Sequence, residues 1–214
     1  SYSPSDDSKY LLFATKSGLV KRTRIAEFDN IRKSGKLCIS LKENDELIGV
    51  KKTDGECDAI MASSTGRIAV FNEEEVRVMG RTASGVKGIS LENGKCVGLE
   101  TAKADDNIII VTEKGYGKKT HISEYRKTKR GSKGVKALKI TAKNGNIAAI
   151  KRFEENNDLM IITNNGIIIR IPLDQISQLG RVTQGTRLIN LKDNQIVSTI
   201  SLVLNEPEEI EEVA

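Results

Sequence analysis

Lys129, Arg130 and Lys133 stand with Gly131 and Gly134 in the seven residues Thr128–Gly134. Glycines let a backbone pass close to another surface while the three cations meet negative charge, and that combination suits the oxygens of a phosphate backbone. Cations recur at fixed distances from glycines elsewhere. Four residues before Gly85, Gly134 and Gly185 stand Arg81, Arg130 and Arg181, and two residues after them stand Lys87, Lys136 and Arg187. Lys118 and Lys119, like Lys21, Arg22 and Arg170, follow Gly115, Gly18 and Gly166, and either extend the columns or form a merely solvated charged face. Repeated on equivalent elements, these columns form a positive stripe that phosphates can follow; for Arg81 and Arg181 the alternative is hydrogen bonding to carbonyls of a neighbouring unit.

Catalytic and metal chemistry find little here. His121 is the only histidine, and with Thr120 and Ser123 beside it reads as a strand or rim residue and not a general base. Asp105 and Asp106 occupy a polar turn without further ligands in view. Gly115-x-Gly117 lacks a following helix pattern and reads as hairpin chemistry. Cys38, Cys57 and Cys96 are odd in number and form no Cys-x-x-Cys pair, so neither a disulfide framework nor a zinc site is expected. No catalytic residue and no metal ligand is assigned.

The elements that must position the cations come from a repeat. Four apolar runs end in a hydroxyl residue three positions before a glycine: Leu11 to Thr15 before Gly18, Ala59 to Ser63 before Gly66, Ile108 to Thr112 before Gly115, and Leu159 to Thr163 before Gly166. Such runs followed by a Gly turn signal strands and hairpins. The second glycine, at Gly35, Gly85, Gly134 and Gly185, keeps the same beat. Four residues beyond it stand Ile39, Ile89, Leu138 and Ile189, and six beyond stand Leu41, Leu91, Ile140 and Leu191, an alternation expected of a half-buried strand. Phe28, Val76, Tyr125 and Ile176 share one register and are expected to anchor a short turn or helical segment. A period of roughly 49 residues with about four short strands is that of a propeller-type blade. The expected fold is all-β, a propeller-like array of four-stranded blades in one domain at 9–204, with repeats at about 9–56, 57–106, 107–156 and 157–204. Residues 1–8 read as a lead-in and 205–214 as an acidic tail.

Composition fits that reading. The 214 residues carry a formal charge of +5, and setting aside the five glutamates of the tail leaves a body of +10, which suggests a polyanionic partner and a tail able to compete for it. Aromatic residues make up 4%, too few for the stacking platforms of single-strand and RNA binders, so duplex DNA is preferred. No apolar run reaches the about 18 residues of a membrane span; with the odd cysteines, a cytoplasmic protein is expected.

The segment Lys129 to Gly134 resembles the Gln-Arg-Arg-Gly-Gly-Lys-Gly box of the DNA gyrase A C-terminal domain family, with Thr128 in place of the glutamine and Ser132 in place of a glycine. Residues 111–119, 80–88 and 180–187 support the resemblance, which runs from about Lys9 to Val203. It implies a β-pinwheel, in which neighbouring blades exchange strands, corresponding to about the last four of six blades plus the tail. It also implies non-specific binding and bending of duplex DNA by a basic outer rim. Partners would be the rest of the gyrase A polypeptide and the ATPase subunit, in an enzyme that introduces negative supercoils. ATP and Mg, like the catalytic tyrosine, would belong to other parts of that enzyme; this fragment would be a monomer without cofactor or activity of its own. The alternatives are the corresponding domain of topoisomerase IV, and a propeller-like protein-interaction scaffold.

Overall fold

The computed structural model describes residues 9–31, 33–192 and 194–205; the lead-in 1–8 and tail residues 206–214 lie outside the described residues. In chain order the first unit holds β1 (Tyr10–Thr15), β2 (Leu19–Arg24) and β3 (Leu47–Thr53), and the second β4 (Asp58–Ser63), β5 (Arg67–Asn72), β6 (Val86–Lys87) and β7 (Cys96–Ala102). The third holds β8 (Asn107–Thr112), β9 (Tyr116–His121), β10 (Val135–Lys136) and β11 (Ile147–Phe153), and the fourth β12 (Asn157–Thr163), β13 (Ile168–Pro172), β14 (Thr186–Arg187) and β15 (Val197–Leu204). A 3-10 turn follows the second strand of every unit, with Val76, Tyr125 and Ile176 buried behind three of them and Phe28 half-buried behind the first. The fold is all-β and propeller-like.

Each hairpin explains its sequence signature. The amide of the glycine bonds the carbonyl of the hydroxyl residue three positions back, at 2.9 to 3.1 Å in all four turns. The Thr15, Thr112 and Thr163 hydroxyls then accept from the amides of Leu19, Tyr116 and Ile167. The glycines have φ of +77 to +87°, a left-handed conformation that a Cβ disfavours.

The sheets do not coincide with the repeats. Their orders are β3-β1-β2-β6, β10-β5-β4-β7, β11-β8-β9-β14 and β13-β12-β15. Each of the first three thus takes its fourth strand from the next repeat, and among the described residues the last sheet has three strands. The half-buried alternating strand expected after the second glycine is in fact a two-residue pairing. Val86 and Lys87 pair with Val20 and Leu19, Val135 and Lys136 with Ile68 and Arg67, and Thr186 and Arg187 with Gly117 and Tyr116. Beyond these pairs Ile89, Leu138 and Ile189 turn into the core.

Successive sheets stack face to face. Leu12, Ala14 and Val20 pack with Met61, Phe71 and Leu99; Ile60, Ile68 and Val70 with Ile108, Ile110 and Ile150; and Ile109, Val111 and Ala149 with Leu159, Ile161 and Ile200. Both faces of the middle strands are covered, hence their unbroken apolar runs. The closing strands β3, β7, β11 and β15 each pack against the next. The buried Glu100 ties three of them, lying 2.6 Å from Lys51 and 3.6 Å from Lys151. With the closing strands inside, the exchanged strands β6, β10 and β14 occupy the opposite, outer edge of their sheets.

Candidate nucleic-acid interface

The exchanged strands carry the second column of cations. Lys87, Lys136 and Arg187 are the last residues of β6, β10 and β14, all three exposed. Equivalent pairing in three successive sheets puts them at equivalent places along the outer edge. The glycine two residues earlier makes this approach possible: a Cβ at Gly85, Gly134 or Gly185 would collide with the carbonyl of Val20, Ile68 or Gly117 on the receiving strand. The carbonyl of the hairpin glycine completes the seam, accepting from Gly88 and Ile89 at Gly18, from Ala137 and Leu138 at Gly66, and from Leu188 and Ile189 at Gly115.

The first column has another use. Arg81 Nη1 donates to the Leu37 carbonyl at 3.3 Å, Arg130 Nη1 to the Lys87 carbonyl at 2.6 Å, and Arg181 Nη1 to the Lys136 carbonyl at 2.7 Å. Each arginine clasps the preceding repeat two residues beyond its second glycine. Carbonyl bridging, the alternative reading for Arg81 and Arg181, is present at both and extends to Arg130. All three stay half-exposed, but the bound guanidinium edge is closed to a phosphate.

Thr128–Gly134 is docked, not free. Thr128 N donates to Val70 O at 2.7 Å, Arg130 N to Glu75 Oε2 at 2.9 Å and Gly131 N to Gly88 O at 2.7 Å. Arg67 holds the other end, donating to the Lys133 and Gly134 carbonyls at 3.0 and 2.8 Å. The exposed Lys133 ammonium sits 2.5 Å from Glu92, whose carboxyl it holds below the usual range. Lys129 is exposed, and its ammonium meets no described residue.

Lys118 requires correction. Expected on the stripe, it is fully buried, and its ammonium donates to the Gly180 and Arg181 carbonyls at 2.8 and 2.7 Å and to the Thr183 hydroxyl at 3.2 Å. Burial pushes it down to about 8. Its repeat counterpart Lys21 is buried likewise beneath the Cys38 and Arg81 carbonyls. Both lysines support the arginine loop of the following repeat from below. Lys119 is half-buried and donates to the Leu173 carbonyl at 2.7 Å, and Arg22 is buried 3.7 Å from Glu73.

Two other groups resolve into local structure. His121 Nδ1 accepts from Ser123 N at 3.2 Å and caps the 3-10 turn that follows. Asp54, Cys57 and Glu73 converge, yet Glu73 already accepts from Thr53 Oγ1 and Cys57 N, and burial pushes the Cys57 thiol up to about 11, so it stays protonated and donates to Asp54.

Sequence reasoning assigns Tyr116 no role beyond its place in the repeat. Its side-chain oxygen accepts from Arg187 Nε and Nη2 at 3.2 and 2.9 Å, while Arg187 Nη1 donates to Asn190 Oδ1 at 3.1 Å. The only local signal is that Tyr116 takes a hairpin position held by Leu19, Arg67 and Ile167 in the other repeats. That it lies opposite Arg187 follows from the strand exchange.

Comparison with known proteins gives a consistent result. The family model described as the DNA gyrase C-terminal domain, beta-propeller, matches residues 9–54, 58–103, 106–154 and 157–203. The A subunit of DNA gyrase from Staphylococcus epidermidis (strain ATCC 12228) is 47% identical over 203 residues, spanning 94% of this chain and 23% of that protein. Its Staphylococcus aureus (strain MRSA252) counterpart is 46% identical over 206 residues, spanning 95% of this chain and 23% of that protein. The chain therefore spans about a quarter of the length of these relatives. Among solved structures, a DNA topoisomerase IV C-terminal domain superposes with a TM-score of 0.86 at 26% identity, covering 96% of this chain and 64% of that one. A DNA gyrase A C-terminal domain superposes with a TM-score of 0.82 at 26% identity, covering 93% and 67%.

Proposed function

The chain belongs to the DNA gyrase C-terminal domain family, and from that premise we propose that it binds and bends duplex DNA along the outer edge of its sheets, as a module of gyrase A in the cytoplasm. The observation that carries this reading is the placement of Lys87, Lys136 and Arg187 on the exchanged strands of three successive sheets, with Lys129 unpaired beside them among the described residues. A row of cations along a stack of twisted sheets offers successive phosphates a curved track. The contacts are to phosphate, so binding is weakly specific and strongly salt-dependent. Bending 20–30 base pairs by 40–90° costs on the order of 1–6 kcal/mol, which several neutralised phosphates offset.

The chemistry of strand passage lies outside this module: it works by holding DNA in a curved path, and ATP-driven supercoiling belongs to the whole enzyme with its ATPase subunit. Topoisomerase IV is the second reading, favoured by the 0.86 superposition; the 47% identity to a DNA gyrase A protein and the Lys129 to Gly134 loop favour gyrase. A linear duplex carrying fluorophores at both ends tests the proposal. Added protein should raise end-to-end energy transfer at low salt, and a duplex that stays straight when saturated would reject the bending role.

A further inference from the structure

The cleft beside Tyr116 gathers more unopposed positive charge than the Lys129 to Gly134 loop. It encloses about 330 Å³ where the β8–β9 hairpin, the turn at Lys143 and the segment after β14 meet. Lys114, Lys143, Arg187 and Lys192 line it, and no described lining residue is a carboxylate. In the loop, by contrast, Lys133 is paired with Glu92 and the Glu75 carboxylate accepts from Arg130 N.

The polar groups of the cleft are also oriented. Arg187 is fixed at three nitrogens by Tyr116 and Asn190. The Tyr116 oxygen accepts from two of those nitrogens, which leaves its own hydrogen free to be donated to a ligand. The Lys143 ammonium stands 5.7 Å from the centre of the Tyr116 ring, and Lys114 is anchored on the Ala142 carbonyl at 2.6 Å. The Arg187 guanidinium holds the phenol below its ordinary value, consistent with a donor in a positive field.

We infer that this cleft is a phosphate-binding site, in which the Tyr116 hydroxyl, held by Arg187, donates to a phosphate oxygen while Lys143 and Lys192 neutralise its charge. Resting on the reading of the chain as a DNA-binding module, it supplies a contact between the third and fourth repeats, separate from the loop at residues 128–134. A tetrahedral anion matches the site because several donors converge on one small volume whose described lining holds no acid.

Inorganic pyrophosphate and a linear duplex, used as separate probes, test the site and its source of phosphate. Pyrophosphate should shift the Arg187 Nε–H resonance, and Tyr116→Phe should weaken its binding about tenfold, the loss expected for one charge-assisted hydrogen bond. Lys143→Ala/Lys192→Ala should reduce the slope of log affinity against log salt for the duplex by about one to two. An unmoved Arg187 resonance, or Tyr116→Phe binding pyrophosphate as tightly as the parent, would overturn the site. If duplex binding persisted in that case, the DNA reading would stand without it. Pyrophosphate binding in the cleft by a chain that binds no duplex would keep the site and reject DNA as the source.

Discussion

Arg130 Nη1 donates to the Lys87 carbonyl oxygen at 2.6 Å, so the most basic loop of one repeat is fastened to the exchanged strand of the repeat before it. The same bond recurs from Arg81 to Leu37 and from Arg181 to Lys136. The arginine column therefore holds the edge together, and the lysines beside it face solvent.

Arg130→Ala should lower the free energy of unfolding by about 1–3 kcal/mol, since it removes hydrogen bonds to the Glu75 and Lys87 carbonyls. Lys129→Ala should change it by less than about 0.5 kcal/mol. Urea unfolding followed by circular dichroism separates the two; equal stabilities would place Arg130 outside the seam.

Lys118 carries a dependence on pH. Its ammonium titrates at about 8 in the fold against an ordinary 10.5, so across that interval the unfolded chain binds the extra proton, and the stability owed to this group rises with pH. Cys57 and Cys96, both pushed up to about 11 by burial, act in the opposite sense but are shared with a variant. In Lys118→Met the rise should vanish. Urea midpoints of the two proteins, compared through this interval, should show the parent gaining on the variant as pH rises; a constant difference would mean Lys118 titrates normally.

The second glycines should differ in tolerance. Gly134 has φ +67° and abuts the Ile68 carbonyl, whereas Gly35, at +76°, has open space where a Cβ would stand. Gly35→Ala should cost about 1–2 kcal/mol, the strain of the left-handed backbone alone. Gly134→Ala should cost more than that by at least about 1 kcal/mol, because the strand must also withdraw from its partner. Comparable losses in thermal unfolding would contradict the close approach at Gly134.

Equivalent closing-strand positions also part company. Leu99 and Ile150 are 3% and 2% exposed, packed against the preceding unit, while Val50 in the first unit is 43% exposed. Leu99→Ala should cost about 2–5 kcal/mol, and Val50→Thr less than about 0.5 kcal/mol. Chemical denaturation of both variants measures the contrast.

Much of this architecture is legible in the residues. The hydroxyl-to-glycine spacing marks the hairpins because one turn geometry needs both groups, and the apolar runs mark strands covered on two faces. The exchange of strands is expected only through the family resemblance and is not legible in the repeat itself: a pair such as Val86 and Lys87 is too short to leave a period, and its partner lies a repeat away. Misplacing Lys118 has the same origin. Nothing local distinguishes it from the half-buried Lys119, because the carbonyls that hold its ammonium come from residues 180 and 181. The place of Tyr116 in the cleft is hidden for the complementary reason, since it rests on Arg187 across a non-sequential pairing.

The most direct test of a phosphate track on the outer edge is the salt dependence of duplex binding by Lys87→Ala/Lys129→Ala/Lys136→Ala. Each lost phosphate contact removes about 0.9 from the slope of log affinity against log salt. The triple variant should therefore fold as the parent does and lose about two to three from that slope. A folded triple variant with the parent's slope and affinity would contradict the assignment of duplex binding to this edge.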